Sequence, residues 1–233
     1  MKNEIKAELI SVLMSVYNSS DTIENSVESI INQDYENIEF LIVDDGSTDD
    51  TYTKLLEFSK KQSKISLFKN DTNIGLTKSL NLLIKNSKGN ILARQDADDV
   101  SFPNRLSTQY HMLKKHNLDF CTTRAFKKDT NKKIPGYSYI IPQKILMKYK
   151  NPFIHGTLLI KKSTIEQVGC YDENFYYSQD YKLMKDLINN NFSFKLLNEC
   201  LYILNMNNNI STLNKDEQNY YANCVRQNIT PSK

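Results

Sequence analysis

Tryptophan is absent from this sequence, and histidine and cysteine are scarce, with three and four residues among 233. Three histidines are too few to favour a histidine-rich metal site. The cysteines lie far apart and form no Cys-x-x-Cys pair, so we expect reduced thiols rather than disulfides or a zinc site. They are Cys121, Cys170, Cys200 and Cys224.

Long apolar runs are also missing. No run approaches the ~20 residues that a membrane-spanning helix needs. The first eight residues are charged and lack the apolar centre of a signal peptide. We therefore expect a cytoplasmic protein without a transmembrane segment, and peripheral contact with the inner face of a membrane stays open.

Neither sign of charge is in large excess, because 30 basic and 27 acidic residues give a formal net charge of +3. So mild a balance does not favour a nucleic-acid binder. Hydrophobic residues make up 39% of the chain, which is enough for a substantial core. The length fits one large α/β domain, or one domain with a small appendage.

Short apolar runs alternate with amphipathic helical patterns through residues 1–100. This alternation predicts an α/β fold with a doubly wound, mostly parallel sheet. Ser20 or Asp21 is the expected cap of the first helix. The predicted strands cover residues 9–15, 39–43, 65–68 and 91–93.

The pattern becomes less regular after Asp99. A helix is predicted from Pro103 to about residue 115, with proline in its first turn. The polar stretch 127–139 predicts a surface loop, and the Asn-rich tail from Asn205 predicts a partly ordered helix or a truncated connection. Further strands are predicted at residues 120–123, 156–160, 192–197 and 201–204, and further helices at 145–149, 163–168 and 179–187.

Side chains of the kinds that bind ligands follow three of the predicted strands. Tyr17 comes after the first strand, Asp44 and Asp45 after the second, and Asp96 and Asp98 after the fourth. In open parallel sheets, ligands bind beyond the carboxyl ends of the strands. We therefore expect these side chains to converge at one edge of the sheet.

The most informative stretch is residues 91–99, where an apolar strand ends in three aspartates within four residues. Carboxylates this close repel one another unless a cation or solvent neutralises them. Hard carboxylate oxygens suit Mg²⁺ or Mn²⁺, and Mg²⁺ is often held by one or two carboxylates together with substrate phosphates. The stretch predicts a metal–diphosphate site, with a solvated acidic turn as the alternative.

Four motifs in this order resemble the family 2 glycosyltransferases, which have the GT-A fold. They are residues 11–18, 43–49, 73–76 and 93–99, and Pro103 and Arg105 follow the last one. The resemblance covers roughly residues 9–204 and implies an inverting enzyme that uses a nucleotide-diphosphate sugar and a divalent cation, Mg²⁺ or Mn²⁺.

The resemblance also implies a domain organisation. A single GT-A domain is expected over residues 1–204. Its nucleotide-binding half covers residues 1–100, and its acceptor-binding half, a smaller mixed region, covers residues 101–204. Residues 205–233 form a polar tail.

The family resemblance assigns roles at the first two strand ends. The turn from Ser15 to Asn18 would contact the nucleobase, with Tyr17 stacking on it. Asp45 would accept a hydrogen bond from a base N–H, which favours uracil, and Asp44 would hold the loop.

At the fourth strand end, the resemblance makes Asp96 the partner of the ribose or diphosphate and Asp98 the metal ligand. Arg94 would reach the nucleotide or a phosphate, and a simple ion pair is the alternative for this residue.

An inverting transfer needs a carboxylate that takes the proton of the acceptor hydroxyl. Residues 178–181 are similar to the stretch that carries this base in the family, which assigns the role to Asp180. Gln179 stands where the family usually has glutamate, so a role for a second acid is in doubt. His155 is expected near the metal or the acceptor, and a purely structural histidine is the alternative.

The resemblance therefore implies transfer of one hexose or N-acetylhexosamine from a UDP-sugar to a glycan or lipid-linked acceptor. The absence of tryptophan, and with it of the Gln-x-x-Arg-Trp element of processive members, favours single-sugar transfer. Synthesis of a bacterial surface polysaccharide or lipooligosaccharide is the expected setting, and the oligomeric state stays open.

Two other classes of function remain as alternatives. A catalytically silent nucleotide- or glycan-binding module would bind UDP without turning over the donor. A phosphohydrolase would use the first aspartate of Asp-x-Asp as its nucleophile, but Val100 and Ser101 follow Asp99 where that chemistry favours Gly-Thr. A nucleotidyltransferase is disfavoured because residues 16–20 contain no glycine.

Overall fold

The computed structural model describes residues 7–206 and 214–232. Within these ranges, one sheet of nine strands runs through the molecule in the order β3-β2-β1-β4-β8-β6-β9-β5, and β7 pairs with β6. The strands are β1 (Ile10–Val16), β2 (Ile38–Asp44), β3 (Ile65–Lys69), β4 (Ile91–Arg94), β5 (Val100–Ser101), β6 (Phe120–Lys127), β7 (Lys133–Ile134), β8 (Leu159–Lys161) and β9 (Phe194–Leu204).

The first half of the sheet is parallel. β1 pairs in parallel with both β2 and β4, and β2 pairs in parallel with β3. Parallel strands need crossover connections, which helices supply here. These helices are α1 (Ile23–Ile31), α2 (Thr51–Lys61) and α3 (Leu76–Asn86).

The second half of the sheet is mixed. β8 runs antiparallel to β4, β6 antiparallel to β8, and β9 parallel to β6. The predicted fold class, a mostly parallel sheet with a smaller mixed region, is confirmed. The remaining helices are α4 (Arg105–Lys115), α5 (Gln143–Leu146), α6 (Lys162–Gln167), α7 (Gln179–Asn189) and α8 (Lys215–Gln227), with 3₁₀ turns at Tyr137–Ile140 and His155–Thr157.

Apolar residues of the strands are buried on both faces of the sheet. Along β1, Val12 and Met14 point to one core, which also contains Val27 of α1. Leu13 points to the opposite core, which contains Leu80 of α3 and residues of α7 and α8. This alternation follows from the two-residue period of a strand, and it explains why β1 and β2 read as continuous apolar runs.

The structure differs from the sequence-based prediction in the second half. Residues 155–157 form a 3₁₀ turn, and the strand predicted over 156–160 is shorter and later, as β8. The cause is local: the amide of Thr157 bonds to the carbonyl of Ile154, and Arg105 takes the carbonyl of Gly156. These groups are therefore withdrawn from strand pairing.

Three further predictions are wrong in detail. The strands predicted at 192–197 and 201–204 are one strand, β9, whose pairing with β6 shifts register after Thr123. The predicted surface loop 127–139 contains β7, which pairs with the end of β6. The first helix begins after Thr22, and no side-chain cap of that helix is formed by Ser20 or Asp21.

The tail packs on the core through α8. Tyr221, Cys224 and Val225 are buried on it, next to residues of α7. The predicted tail, 205–233, includes residues 207–213 and 233, which lie outside the described residues. In the part of the chain that the structure describes, no helix is long and apolar enough to cross a bilayer.

Arg105 ties the two halves of the sheet together. It is the first residue of α4, it is fully buried, and its Nη1 donates to the carbonyls of Arg94 and Gly156, at 2.9 Å each. Its guanidinium lies 5.5 Å from the ring centroid of Tyr202 on β9. Burial lowers the pKa of Arg105 to about 10, so the side chain stays charged at neutral pH. One cation therefore fixes the end of β4 against the 3₁₀ turn.

Candidate functional site

The ends of β1, β2 and β4 meet at one edge of the sheet. Val16 is in register with Asp44, and Leu13 is in register with Arg94. The pairing of β1 with β2 extends one residue beyond the end of β2, where the amide of Asp45 donates to the carbonyl of Val16 at 2.7 Å. The structure thus brings the side chains predicted after the three strands to a common rim.

The loop after β1 is fastened to the loop after β2. Asn18, which has a positive φ of 46°, accepts a hydrogen bond from the amide of Thr48 at 2.8 Å through its Oδ1. Its own amide donates to Oγ of Ser47 at 3.0 Å. Ser15 is partly buried at the end of β1, whereas Tyr17 is 46% exposed. The loop is therefore ordered and presents one aromatic ring at the rim.

Asp45 is saturated by donors from the protein itself. Its carboxylate accepts from Nδ2 of Asn70 at 2.7 Å, from the amide of Ile74 at 3.0 Å and from the amide of Gly75 at 2.9 Å. The residue is buried. Asp45 therefore fixes the turn that leads into α3.

Asp44 is in a different state. It is fully buried, and its Oδ2 accepts from the amide of Ser47 at 3.3 Å. Its Oδ1 has no hydrogen-bond donor among the described residues. A buried acceptor without a partner costs free energy, so this oxygen is a candidate for contact with a ligand. The family resemblance assigned the ligand contact to Asp45 and the loop-holding role to Asp44.

The acidic stretch after β4 is held by buried partners. The guanidinium of Arg94 is buried, and its Nη2 lies 2.6 Å from Oδ1 of Asp96. The amide of Asp96 donates to the hydroxyl of Tyr202 at 3.0 Å. Oδ1 of Asp99 accepts from the amide of Asn205 at 2.7 Å. Arg94 is therefore the buried member of an ion pair whose other member, Asp96, is partly exposed.

Negative charge is in excess in this stretch. Burial, and next the charge of Asp96, raise the pKa of Asp98 to about 6. The same two causes, together with the charge of Asp98, raise the pKa of Asp99 to about 9. A nearby cation would relieve this repulsion.

The carboxylates fit a divalent cation that draws part of its shell from a substrate. No group of three or more His, Cys, Asp or Glu side chains among the described residues is arranged to hold a metal alone. Mg²⁺ and Mn²⁺ often take one or two protein carboxylates and complete their shell with phosphate oxygens and water. Asp98 is partly exposed at the rim beside Asp96, so its carboxylate is available as a ligand for such a cation.

The second half of the chain brings two predicted residues to the same rim. His155 lies in the 3₁₀ turn, and its Nε2 is 2.7 Å from the hydroxyl of Tyr171. Asp180 lies in the first turn of α7, and its Oδ2 accepts from Nδ2 of Asn151 at 2.8 Å. Ser178 has a positive φ of 56° just before α7, which turns the chain so that Asp180 enters the helix.

His155 lies near both the acidic stretch after β4 and the first turn of α7. Burial, and next the charge of Arg94, lower the pKa of His155 to about 4, while Asp96 and Asp180 act in the opposite direction. Both carboxylates are thus close enough to His155 to affect its charge. The structure places Asp180 in one electrostatic cluster with Arg94 and Asp96.

Three supporting residues were missed by the sequence interpretation. A Cβ at Gly156 would lie 2.6 Å from Oδ2 of Asp96, so only glycine lets that carboxylate approach. The sequence interpretation gave no role to Tyr202, which lies in a predicted strand, or to Asn151. The sequence offers a signal only for Asn151 and Gly156, which flank Pro152 and His155 in a turn-like stretch.

Comparison with known proteins gives a family. The sequence model described as Glycosyl transferase family 2 matches residues 11–186. The chain is 32% identical over 185 residues to an Escherichia coli protein described as UDP-Glc:alpha-D-GlcNAc-diphosphoundecaprenol beta-1,3-glucosyltransferase WfgD, and the match covers 78% of the chain and 71% of WfgD. Other curated relatives are longer, and the chain spans 59% of the length of each of three of them.

Solved structures give the same fold. The structure of S. aureus TarS 1-349 in complex with UDP-GlcNAc superposes with a TM-score of 0.73 at 19% identity, covering 88% of the chain and 60% of TarS. The mannosyltransferase PcManGT from Pyrobaculum calidifontis, in complex with GDP-Man and Mn²⁺, superposes with a TM-score of 0.73 at 17% identity, covering 95% of the chain and 65% of PcManGT. At such low identity the likeness concerns the fold.

The depressed pKa of His155 predicts how its contribution to stability changes with pH. Its pKa is about 4 in the folded protein and about 6.5 in an unfolded chain. Between these pH values the unfolded chain binds more protons than the folded protein does. His155 therefore lowers the free energy of unfolding as pH falls. From pH 7 to pH 5 we expect the loss to be about 2 kcal/mol larger in the wild type than in His155→Gln.

Urea unfolding of both proteins at the two pH values, in EDTA, measures this difference. Asp98 and Asp99 have raised pKa values and act with the opposite sign, but both proteins contain them. Equal losses of stability in the two proteins would show that His155 titrates normally.

Proposed function

The chain belongs to glycosyl transferase family 2, and we propose that it transfers one hexose or N-acetylhexosamine from a UDP-sugar to a glycan or lipid-linked acceptor. The proposal rests on the edge of the sheet at which the ends of β1, β2 and β4 lie side by side, and on Asp180, which shares the surroundings of His155 with Asp96 and Arg94. WfgD, described as a UDP-glucose-dependent enzyme with a lipid-diphosphate-linked acceptor, supports the substrate class. TarS, solved with UDP-GlcNAc, supports a UDP-sugar donor.

The rim has the parts that a uracil base needs. Tyr17 presents an exposed ring, and aromatic stacking on a base contributes roughly 1–3 kcal/mol. Asp44 has an unpaired carboxylate oxygen that can accept from the imide N–H of uracil. Because Asp44 is fully buried, this contact requires neighbouring side chains to move. Ser15 and Asn18 shape the same turn, and Asp45 holds the turn that follows β3.

The diphosphate would lie against the acidic stretch after β4. Asp98, with Asp96 beside it, would hold Mg²⁺ or Mn²⁺, and the Mn²⁺ bound to PcManGT supports this choice of ion. When bound, such an ion stabilises the negative charge of the departing diphosphate. Arg94 keeps the carboxylate of Asp96 oriented through the ion pair that these two side chains form.

Asp180 would act as the general base. In a single displacement, its carboxylate takes the proton of the acceptor hydroxyl while that oxygen attacks the anomeric carbon. The bond from the anomeric carbon to the diphosphate oxygen breaks, and the configuration of the sugar inverts. Asn151 donates to Oδ2 of Asp180 at 2.8 Å, which orients the carboxylate and leaves its other oxygen for the acceptor.

Synthesis of a surface glycan is the setting that the relatives favour. A second E. coli relative, 31% identical over 201 residues, is described as the O-antigen biosynthesis glycosyltransferase WbnJ. The name of WbnJ refers to O-antigen biosynthesis, and the name of WfgD refers to a diphosphoundecaprenol-linked acceptor.

Asp98→Asn should remove the metal dependence of nucleotide binding. We expect Mn²⁺ to tighten UDP binding to the wild type by roughly tenfold, about 1.4 kcal/mol, because Asp98 would hold the ion and the ion would stabilise the charge of the diphosphate. In the variant, UDP affinity should be nearly the same in Mn²⁺ and in EDTA. Isothermal titration calorimetry measures both affinities, with Asp34→Asn, an exposed carboxylate elsewhere, as the matched control. A variant that retains the full effect of Mn²⁺ would exclude Asp98 as the ligand.

Asp180→Asn should separate donor binding from transfer. We expect UDP-glucose and UDP-GlcNAc affinities to stay within about twofold and turnover to fall by roughly 10²–10⁴, since only proton transfer is removed. Release of UDP in the presence of a synthetic GlcNAc-diphosphate lipid measures turnover. Asp186→Asn, on the same helix and ion-paired with Lys182, is the control. Near-normal turnover by Asp180→Asn contradicts the assignment, and tight binding without turnover by the wild type favours the silent binding module.

A further inference from the structure

Residues 127–150 form a strongly basic segment that the proposed reaction does not use. This basic segment contains seven lysines and a single acidic residue, Asp129. It runs from the end of β6 through β7, the 3₁₀ turn Tyr137–Ile140 and α5. None of its lysines forms an ion pair with a carboxylate in the described ranges, and six of them are exposed. The exposed lysines are Lys128, Lys132, Lys133, Lys144, Lys148 and Lys150.

The same segment exposes large apolar side chains. They fall within 13 residues: Tyr137 is 92% exposed, Ile140 69%, Ile141 42%, Ile145 51% and Tyr149 68%. Scattered exposed apolar residues are common, but a group this dense marks an interaction surface.

The segment is anchored to the protein rather than loosely attached. Leu146 and Met147 are buried, and the hydroxyl of Tyr181 donates to the carbonyl of Met147 at 2.7 Å. Arg226 of α8 donates to the carbonyl of Tyr149 at 2.8 Å. The exposed side chains are therefore held outward on a fixed backbone.

The chemistry of this surface fits an anionic lipid bilayer. Lysines interleaved with isoleucine and tyrosine are typical of segments that lie in a membrane interface, where lysine stems and tyrosine rings reach between polar and apolar layers. A second copy of the chain fits less well, because a two-fold contact would place the same lysines against one another.

The surface also borders the candidate site. Lys128 is close enough to Asp98 for its charge to stabilise that carboxylate. Asn151, the first residue after the segment, holds Asp180. We propose that the basic segment docks the protein on an anionic bilayer, with Tyr137 and the isoleucines between the headgroups and the lysines against lipid phosphates. The inference extends the proposed function, since a lipid-linked acceptor would reach Asp180 from this surface, but the docking itself needs no transfer.

Co-sedimentation with vesicles tests the docking. Wild-type protein should bind phosphatidylcholine vesicles that contain phosphatidylglycerol, and high salt should weaken the binding. The combined variant Lys144→Gln, Lys148→Gln, Lys150→Gln should lower the partition coefficient by about 100-fold, about fivefold for each lysine. The matched control Lys60→Gln, Lys85→Gln, Lys115→Gln removes the same charge from exposed positions on α2, α3 and α4 and should stay within about threefold of wild type.

A second variant tests the apolar contribution. Ile140→Ser with Ile145→Ser should remove the part of the binding that survives high salt, since both side chains are exposed and contribute little to the fold. Thermal melts and UDP titrations of each variant show that it is folded, so that failure to dock and failure to transfer sugar are separate results.

Three outcomes of the vesicle-binding assay overturn the docking proposal. They are no binding of the wild type to anionic vesicles, equal losses in the lysine variant and its control, and equal binding to vesicles with and without phosphatidylglycerol. If ultracentrifugation shows that the variants dissociate an oligomer while vesicle binding is unchanged, the surface is a contact between copies and the proposal is wrong.

Discussion

The concentration of carboxylates at the end of β4 is the constraint on which the rest of the site depends. Asp96, Asp98 and Asp99 lie within four residues at a partly buried edge, where they repel one another. The protein neutralises one of them with the buried guanidinium of Arg94 and orders the stretch through Tyr202. Burial, and next the charge of Asp96, still raise the pKa of Asp98, and a divalent cation with a diphosphate would relieve the repulsion between these carboxylates.

The same constraint explains how the two halves of the chain are joined. Arg105 bonds to the carbonyls of both Arg94 and Gly156, which fixes the acidic stretch against the 3₁₀ turn of the second half. Glycine at 156 lets the carboxylate of Asp96 approach that turn. His155, next in the turn, therefore stands between the side that would hold the donor and the side that carries Asp180. One continuous sheet, rather than a flexible linker, joins the half that carries the acidic stretch to the half that carries Asp180.

Much of the fold could be predicted because its signals are local. The apolar runs of β1, β2, β3 and β4 and the helices between them follow from periodicity, and the strand ends identify the rim. The second half was less predictable because its contacts are long-range. The hydroxyl of Tyr202 accepts a hydrogen bond from the amide of Asp96, which lies 106 residues earlier in the sequence. The pairing of β9 with β6 changes register at a point that no residue type predicts.

The two aspartates after β2 show that the local sequence also does not reveal which of two neighbouring carboxylates lacks a hydrogen-bond partner. Asp44 and Asp45 are chemically identical neighbours. Only the positions of Asn70, Ile74 and Gly75 decide that the carboxylate of Asp45 accepts hydrogen bonds from the protein. The structure leaves an oxygen of Asp44 without a partner, whereas the family pattern pointed to Asp45.

A crystal structure of the protein with UDP and Mn²⁺ tests the central claim most directly. The account predicts Mn²⁺ between the diphosphate and Asp98, with the uracil ring on Tyr17 and its imide N–H directed at Asp44. Nucleotide bound away from the ends of β1, β2 and β4, or a metal that contacts neither Asp96 nor Asp98, would contradict it.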